Sequence, residues 1–443
     1  MTNQIYTGDC FEQLPALDEN SVHAIVTDPP YGLAFMGRSW DDFEPKEYQE
    51  WCEKWATECL RVLKPGGHLL AFSGNRTHHR LMSGIEDAGY EIRDTITWHY
   101  GSGFPKALDV SKSIDKQAGK KEDREVTGKY HNPDGTTRDY DGYDTSCNVY
   151  CDRIDSNEHR QTTEPATEQA EQWDGFKSAL KPATEFVCVA RSPLAEDTIA
   201  ENVVTHGTGA LNIDATRVES EDGGWTRKGP IPDISGGSYA GGNAENGALG
   251  PSDMTQECDD NGRYPANVVF DAQQADVLDD EVGELGGGSM TRNGDVEGKE
   301  WENDVNEGYT EGRDRSMFVN EAADDGVRSY GDSGGPSRYF YTSKASKAER
   351  TLDGKIDNAH PTVKPIDLME WLVQLATAEE QIVLDPFAGS GTTCKAAKNK
   401  NRQFIGIEQQ AKWADVARVR SGLPPDDHSH IRSDDEQHGL EQF

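Results

Sequence analysis

The alternation of apolar, strand-like segments with amphipathic helices at both ends of the chain most constrains its fold. Alternation of this kind implies a mainly parallel sheet with helices on both faces. A segment at 186–190 is expected to join the sheet as an antiparallel neighbour of 90–100. Because open sheets of this type bind ligands at the carboxyl ends of their strands, the two ends of the chain are expected to form one site. The predicted strands are 4–8, 22–27, 68–72, 90–100, 382–385 and 402–408, and the predicted helices are 10–17, 46–63, 76–88, 366–378, one from 393 and one ending at 420.

The first candidate motif is Asp28-Pro29-Pro30-Tyr31, which follows the strand at 22–27. Two consecutive prolines fix φ and remove two backbone donors, so they suit a stiff loop better than a strand or helix interior. Such a loop directs carbonyl groups at a ligand beside a carboxylate and an aromatic ring. An exocyclic amine on a nucleobase needs this combination, because its hydrogens require acceptors and its ring requires a flat surface. The alternative is an ordinary exit from a strand into a turn.

The second candidate motif is a glycine-rich turn within 383–393, where an apolar run ends at Asp385 and a helix-forming stretch follows. Glycines at alternate positions allow the backbone to approach a ligand closely, and the helix N-terminus behind them favours a carboxylate or a hydroxyl-rich group. The next predicted strand ends in Glu408, an acid suited to accept hydrogen bonds from ribose hydroxyls. No lysine follows the glycines as in phosphate-binding loops, which argues against a triphosphate.

Together these segments resemble the amino-methylating DNA methyltransferases, which use S-adenosylmethionine. The segment His360-Pro361-Thr362-Val363-Lys364-Pro365 extends the resemblance, since in that family it precedes the glycine-rich loop and helps to enclose the cofactor. The Asp-Pro-Pro-Tyr motif comes first and the cofactor loop last, which is the order of the β subgroup. The resemblance covers about residues 1–110, 180–194 and 338–415. It implies an α/β, circularly permuted Rossmann-like fold. Segments 101–106 and 206–212 are also similar to methylases common in phage and prophage.

The resemblance implies that Asp28, Pro29, Pro30 and Tyr31 are the catalytic residues. The Asp28 carboxylate and the Pro29 carbonyl would accept the two hydrogens of an adenine N6 amine, and Tyr31 would stack on a base that has left the duplex. The expected activity is site-specific methylation of adenine in double-stranded DNA. The nearest alternative is cytosine N4 methylation, whose members commonly have Ser in place of Asp28. A DNA-binding decoy or regulator without turnover is a further alternative, and the intact motif argues against it. Cysteine-based C5 methylation is disfavoured because no Pro-Cys catalytic loop is present.

The cofactor residues implied by the resemblance are Asp9, Lys364, Asp385, Phe387, Gly389, Gly391, Thr392 and Glu408. Gly389 and Gly391 would let the loop approach S-adenosylmethionine, Glu408 would hold its ribose, and Phe387 would pack on it. Asp385 or Asp9 would contact its amino-acid part or its adenine.

Several of these residues have structural alternatives. Asp9 is equally suited to cap the helix from Cys10, and Thr392 and Thr393 are suited to cap the helix that follows them. Lys364 is a candidate contact for the cofactor or for phosphate, and as a lone lysine it is also typical of a solvated surface.

The predicted organisation places two insertions within one methyltransferase domain. In the family, target recognition lies between the catalytic and the cofactor motifs, which corresponds here to the second, acidic insertion. Disorder is the alternative for 219–260 and 285–335. The predicted segments are a catalytic half at 1–100, a polar insertion at 101–180, a sheet strand at 181–194, the acidic insertion at 195–337, a cofactor-binding half at 338–420 and a disordered tail at 421–443.

The formal net charge of −36 has the wrong sign for a simple DNA-binding surface. An acidic excess along the whole chain with few lysines is typical of a halophilic host, where salt near 1 M shortens the Debye length to about 3 Å. Phosphate contacts weaken steeply with salt, so DNA binding would depend on groove contacts, stacking and shape. No nuclease motif is present, and a restriction endonuclease partner would be a separate chain.

The remaining composition favours a cytoplasmic monomer or homodimer without a resident metal. No segment has the length and apolarity of a membrane span or the pattern of a signal peptide. The eight cysteines lack paired spacing, which fits a reducing compartment. Cys147 and Cys151 with His159 downstream are candidate zinc ligands, but no fourth ligand is evident, so free thiols are expected.

Overall fold

The computed structural model describes residues 3–33, 41, 43–101, 107–129, 161–218, 226–228, 255–257, 262–283, 336–343 and 363–427. The chain divides into two compact units. The first comprises 1–216, 266–275 and 341–443, and the second comprises 217–265 and 276–340.

The first unit is built on a nine-stranded sheet in the order β1-β13-β12-β2-β3-β7-β4-β10-β11. The strands near the two ends of the chain interleave, because β13 and β12 lie between β1 and β2. The ranges of these strands are β1 Gln4–Thr7, β2 Val22–Thr27, β3 Leu63–Ser73, β4 Glu91–His99, β7 Thr184–Arg191, β10 Val268–Asp271, β11 Tyr341–Ser343, β12 Ile382–Asp385 and β13 Gln403–Glu408.

The sheet is parallel except around β7, which runs antiparallel to both β3 and β4. The predicted antiparallel pairing of 186–190 with 90–100 is therefore confirmed. Because β7 is antiparallel, its first residues lie at the edge of the sheet where the parallel strands have their carboxyl ends.

Two short antiparallel pairs lie outside the main sheet. In the first unit, β5 Val126–Lys129 pairs with β6 Gln161–Thr163. In the second unit, β8 Thr226–Lys228 pairs with β9 Thr255–Glu257.

The described helices agree with the predicted alternation to within a few residues, except that the helix predicted at 10–17 is shorter. It ends at Gln13 and continues as a 3-10 turn over Leu14–Ala16. No helix among the described residues is long and apolar enough to cross a membrane. The helices are α1 Cys10–Gln13, α2 Pro45–Val62, α3 His78–Asp87, α4 Val110–Gln117, α5 Glu168–Gln172, α6 Ile199–His206, α7 Ala272–Val282, α8 Ile366–Ala376, α9 Thr392–Asn399 and α10 Ala411–Arg420.

Both faces of the sheet are buried, as expected for parallel strands flanked by helices. Along β3, Leu70 and Phe72 face the core formed with α8, α9 and α10. The alternate residues Leu69 and Ala71 face the core formed with α1, α2 and α3. The near-continuous apolar runs of these strands follow from this double burial.

The Pro65-Gly66-Gly67 segment lies within β3 and does not form a separate turn. The pairing of β2 with β3 shifts register here, from Val22 opposite Leu63 to Ala24 opposite His68. Gly66 has a φ of +78°, which favours glycine, and its amide donates to the Pro193 carbonyl at 3.1 Å. The segment therefore forms a bulge near the start of β3, shortly after α2 ends at Val62.

The predicted segment boundaries remain predictions, although two observations bear on the range 195–337. Its strand β10 pairs in register with β4 in the main sheet. Helix α6, which also falls in this range, lies in the first unit.

Several sequence interpretations fall outside the described residues. They concern His360, Pro361 and Thr362 of the extended motif, residues 102–106 of a phage-like segment, and the candidate zinc ligands Cys147, Cys151 and His159. The ranges 219–225, 229–254, 284–335 and 428–443 also lie outside them.

Candidate active site

The candidate site lies at the carboxyl ends of the central parallel strands. There β2 leads into Asp28, β12 ends in Asp385 and β13 ends in Glu408. A hydrogen bond of 2.7 Å from the Thr27 hydroxyl to the Asp385 carboxylate joins β2 to β12 across 358 residues of chain. The two predicted motifs therefore form one site, as the alternation of strands and helices implied.

The loop that carries the Asp-Pro-Pro-Tyr motif is held from α2 and from a buried acid. The Tyr48 hydroxyl donates to the Pro30 carbonyl at 2.9 Å. Asp41, which is only 1% exposed, accepts hydrogen bonds from the backbone N–H groups of Gly32 and Leu33. Gly32 has a φ of +64°, and a Cβ there would lie 2.7 Å from the Tyr48 ring, so both conformation and space require glycine. This loop is consequently a fixed support for Asp28 and Tyr31.

Four side chains meet beside this loop and form what we call the ammonium cluster: Asp28, Tyr31, Glu185 and Lys364. The Lys364 ammonium lies 2.6 Å from Asp28 Oδ2, 3.2 Å from the Tyr31 hydroxyl and 3.4 Å from Glu185 Oε2. The Tyr31 hydroxyl is in turn 2.9 Å from Asp28 Oδ1 and 3.1 Å from Glu185 Oε2. One cation thus holds two carboxylates and a phenol in a single connected group.

The charges in the ammonium cluster reinforce one another. Lys364 is 8% exposed. Burial alone lowers the pKa of its ammonium, but the carboxylates of Asp28 and Glu185 outweigh burial, and the net shift is upward. Burial and the same two carboxylates raise the pKa of the Tyr31 hydroxyl well above its usual value. Lys364 therefore stays protonated and Tyr31 stays neutral at physiological pH. Lys364 also lies 4.9 Å from the centre of the Phe72 ring.

Glu185 was not predicted from the sequence. It is the second residue of β7 and lies opposite Trp98 in the pairing with β4. Because β7 is antiparallel, its first residues lie at the same edge of the sheet as the site. The acid just before the apolar run 186–190 could therefore have indicated a site residue. Lys364 was predicted to contact the cofactor or a phosphate, with a solvated surface position as the alternative. Its side chain is buried and its ammonium donates to Asp28, so the surface alternative is wrong.

Aromatic side chains continue along the same edge of the sheet. The Trp98 and Tyr100 rings are 5.0 Å apart at the end of β4. Burial and the nearby Glu185 raise the pKa of Tyr100 to about 12, although Lys364 acts in the opposite direction. These neutral rings provide apolar surface beside the ammonium cluster.

Asp385 is the first of two acidic groups around the glycine-rich turn. Its carboxylate is 3% exposed and accepts hydrogen bonds from the Thr27 hydroxyl and from the Phe387 amide. Burial is the largest cause that raises its pKa to about 6; hydrogen bonds from Thr393 and Thr27 oppose the shift.

Glu408 is the second acidic group. Its two oxygens accept from the amides of Gly389 at 2.9 Å and Gln410 at 2.8 Å. Burial raises its pKa to about 7, and these two hydrogen bonds oppose the shift without cancelling it. The turn and the acid at the end of β13, both predicted to contact one cofactor, are therefore joined by a direct hydrogen bond.

Residues of the turn itself have structural partners. Gly391 begins α9 with a φ of +79°, and a Cβ there would lie 2.7 Å from Ala417 Cβ, so its absence lets α9 pack against α10. Gly389 also has a positive φ, of +52°. The Phe387 ring lies 5.4 Å from Trp51 and packs on α2.

Of the residues for which helix capping was an alternative, Asp9 acts as a cap and Thr392 does not. Asp9 does cap α1, since its Oδ1 accepts from the Phe11 amide at 2.8 Å, while its Oδ2 accepts from Gln409 at 3.1 Å. Thr392 does not cap α9, because the N-cap is Gly391, and its hydroxyl accepts from Arg420 at 3.0 Å.

The acidic end of the site fits a cationic, hydroxyl-bearing cofactor. Within the described residues, the hydrogen bonds of Asp385 and Glu408 come from uncharged donors. Asp385 is buried and Glu408 is half-buried, burial raises the pKa of both carboxyl groups, and a positively charged ligand would compensate them. Each Glu408 oxygen also retains lone pairs for hydroxyl donors. S-adenosylmethionine has both a sulfonium and ribose hydroxyls, so the donor and acceptor set is compatible with it.

Comparison with known proteins agrees with this chemistry. The family model N6_N4_Mtase, described as DNA methylase, matches residues 22–179 and 288–418. The Type II methyltransferase M.HindIII of Haemophilus influenzae is 23% identical over 460 residues, which cover 96% of each chain. M.HpaI of Haemophilus parainfluenzae is 33% identical over 117 residues, covering 26% of this chain and 37% of its own. The PvuII DNA methyltransferase (cytosine-N4-specific) is 14% identical, with a TM-score of 0.42 over 95% of this chain and 86% of its own.

Proposed function

Since the chain belongs to the N6/N4 family of DNA methylases, we propose that it is a site-specific methyltransferase acting on the N6 amine of adenine in double-stranded DNA. The observation that carries the proposal is the position of the Asp28 carboxylate. It follows β2, is held by Tyr31 and Lys364, and is one residue from the Thr27 hydroxyl that binds Asp385. A strong acceptor for an amine thus lies next to the acidic, glycine-rich turn.

The cofactor is S-adenosylmethionine, the methyl donor of this family. When bound, it supplies an electrophilic methyl group on a positively charged sulfur. Glu408 would accept hydrogen bonds from its ribose hydroxyls, and Asp385 would compensate its positive charge. Gly389 would keep the turn free of side-chain bulk, and Asp9, Phe387, Gly391 and Thr392 would shape the surrounding pocket.

Asp28 and the prolines after it would activate the amine. The lone pair of an adenine amine is delocalised into the ring, so the nitrogen is a weak nucleophile. Asp28 would accept one amine hydrogen and the Pro29 carbonyl the other, which favours tetrahedral geometry at nitrogen. Pro30, whose carbonyl is bound by Tyr48, keeps this loop rigid. Alignment of amine and methyl group then contributes much of the rate.

Tyr31 would hold the target base after it leaves the duplex. Extrusion costs a few kcal/mol, and stacking on an aromatic ring returns about 1–3 kcal/mol. The Tyr31 hydroxyl is fixed by Asp28 and Glu185, so the ring has a defined orientation. Loss of rotational freedom is therefore small when the base binds.

The choice of adenine rests on the acceptor at position 28. A carboxylate is a stronger acceptor than the hydroxyl of a Ser at this position. We further propose that the region 195–337 contains the target-recognition residues and that any partner restriction endonuclease is a separate chain.

Nucleoside mass spectrometry tests the target base directly. Unmethylated genomic DNA is treated with the protein and isotopically labelled S-adenosylmethionine, then digested to nucleosides. We expect the label in N6-methyladenine. Label found only in N4-methylcytosine would overturn the adenine assignment while preserving a methyltransferase, and absence of label in either base with folded, cofactor-binding protein would favour a decoy or regulator.

The net charge of −36 supports a related proposal, that the protein works at high salt. Repulsion among surface carboxylates is weakly screened at low ionic strength. We therefore expect the fold to lose stability below about 0.5 M salt, where the Debye length exceeds about 4 Å. Circular dichroism melts at 0.1 M and 2 M KCl would show this, and equal melting temperatures would exclude the halophilic interpretation.

A further inference from the structure

The ammonium cluster poses a chemical problem for the proposed amine acceptor. Asp28 already uses both carboxylate oxygens, Oδ1 for the Tyr31 hydroxyl and Oδ2 for the Lys364 ammonium at 2.6 Å. A carboxylate whose charge is shared with so close an ammonium is a weaker acceptor for a neutral amine. A second partner for the ammonium would relieve this competition.

Glu185 is that second partner. Its Oε2 lies 3.4 Å from the Lys364 ammonium and 3.1 Å from the Tyr31 hydroxyl, so it contacts the same two groups as Asp28. An ammonium has three donors, and here they meet two carboxylates and a phenol oxygen. Movement of Lys364 from Asp28 towards Glu185 would therefore keep the buried ammonium paired, and an unpaired ammonium would be strongly unfavourable. Asp28 would keep the Tyr31 hydroxyl and gain the amine hydrogen.

We propose that Glu185 is a positioning residue for methyl transfer, which draws the Lys364 ammonium away from Asp28 as the target amine binds. This inference rests on the proposed function, because it assumes that Asp28 accepts a hydrogen of the amine. Glu185 acts through Lys364 and Tyr31 and does not touch the reacting atoms. The Tyr31 hydroxyl stays between Asp28 Oδ1 and Glu185, while Asp28 Oδ2, which Lys364 leaves, accepts the amine hydrogen.

The arrangement of β4 and β7 provides a matched control. Glu185 begins β7 opposite Trp98 near the end of β4, whereas Glu91 begins β4 opposite Arg191 at the end of β7. The Glu91 carboxylate accepts from Arg191 at 2.6 Å. Glu91 is therefore an ion-paired acid of the same strand pair at the opposite edge of the sheet, and E91Q makes the same charge change away from the site.

The decisive test is a double-mutant cycle on methyl transfer. Tritium transfer from S-adenosylmethionine to unmethylated genomic DNA is measured at saturation for wild type, E185Q, K364M and the double variant, with E91Q alone and combined with K364M. We expect E185Q to lower kcat about tenfold, as for loss of a hydrogen bond to a charged group, with nearly unchanged KM for the cofactor. In the K364M background the effect of E185Q should be much smaller, because only the contact of Glu185 with the Tyr31 hydroxyl remains. E91Q should leave kcat unchanged in both backgrounds.

Several outcomes would overturn the inference without affecting the proposed function. Wild-type kcat in E185Q would do so, and so would an equal loss from E185Q in the presence and absence of Lys364. E185D keeps the anion and should recover part of the rate; a kcat no higher than that of E185Q would also contradict the role. By contrast, a folded wild-type protein that transfers no methyl group to DNA would overturn the proposed function itself.

Discussion

The ammonium cluster and the glycine-rich turn hold their carboxylates in opposite ways. Asp28 and Glu185 share the buried ammonium of Lys364. Asp385 and Glu408 accept hydrogen bonds from uncharged donors, and burial raises their pKa values to about 6 and about 7. One end of the site is therefore partly neutralised by the protein's own cation, whereas the other retains acidic groups that a cationic ligand would compensate. The difference suits a base that arrives neutral and a cofactor that arrives charged.

The largest expected effect comes from removing the acceptor at the neutralised end. Asp28→Asn keeps the size of the side chain but removes the anion, so methyl transfer should fall about 1,000-fold, as for loss of one key electrostatic group in an active site. Cofactor binding should survive, because the glycine-rich turn is separate from Asp28. Tritium transfer and calorimetry measure the two properties independently. Retention of more than about a tenth of wild-type turnover would refute the role of Asp28.

The next effect concerns the ammonium that neutralises this end. Lys364→Met leaves two carboxylates without their cation, so the free energy of unfolding should fall by about 3 kcal/mol, as for other broken buried pairs. Lys177→Met is the control, because Lys177 pairs with Asp109 with nearly half of its side chain exposed. In this control variant the free energy of unfolding should fall by less than about 1 kcal/mol. Urea unfolding of both variants compares them, and equal losses would contradict the contrast between the two ends.

The cofactor end should respond to pH where the ammonium cluster does not. Glu408, with a pKa of about 7, carries a proton on half of the molecules at that pH. Ribose hydroxyls donate to the ionised form, so affinity for S-adenosylmethionine should rise about tenfold between pH 6 and pH 8. Glu408→Gln cannot ionise and should lose that part of the pH dependence. Calorimetric titrations at several pH values test this, and identical profiles for the two proteins would exclude Glu408 as the ionising group.

The smallest effect tests the link between the two ends. Thr27→Val keeps the shape of the buried side chain but removes the donor to Asp385. The free energy of unfolding should fall by about 1 kcal/mol, the usual contribution of one hydrogen bond. Thr57→Val is the control, since the Thr57 hydroxyl donates to a carbonyl on an exposed helix surface. If Thr57→Val lowers the free energy of unfolding as much as Thr27→Val does, the hydrogen bond to Asp385 makes no specific contribution to stability.

The sequence predicted the sheet and its two motifs because each depends on local patterns. Apolar strands at 22–27 and 382–385 are bounded by prolines and glycines, and their order along the chain implied a shared edge. Gly389 and Glu408 were assigned to one cofactor by the same reasoning, and the hydrogen bond between them is a finding of the structure.

The contacts of single side chains could not be predicted in this way. The position of Lys364 depends on two acids that are 336 and 179 residues away in sequence, and no local pattern relates them. Gly391 and Phe387 were predicted to contact the cofactor. Packing of Gly391 against Ala417 and of Phe387 against Trp51 also accounts for these two residue types. Local sequence does not show whether a residue is small or apolar because it contacts a ligand or because it packs against a neighbouring helix.

The interleaving of β12 and β13 between β1 and β2 has a consequence for biosynthesis. The first strands leave the ribosome while their neighbours are still untranslated, and Thr27 meets Asp385 only 358 residues later. At about 5–20 residues per second, the backbone N–H and C=O groups of β1 and β2 that pair with β13 and β12 remain without these partners for about 20–70 s. The two halves of the candidate site therefore come together only after the segment that carries β12 and β13 has been synthesised.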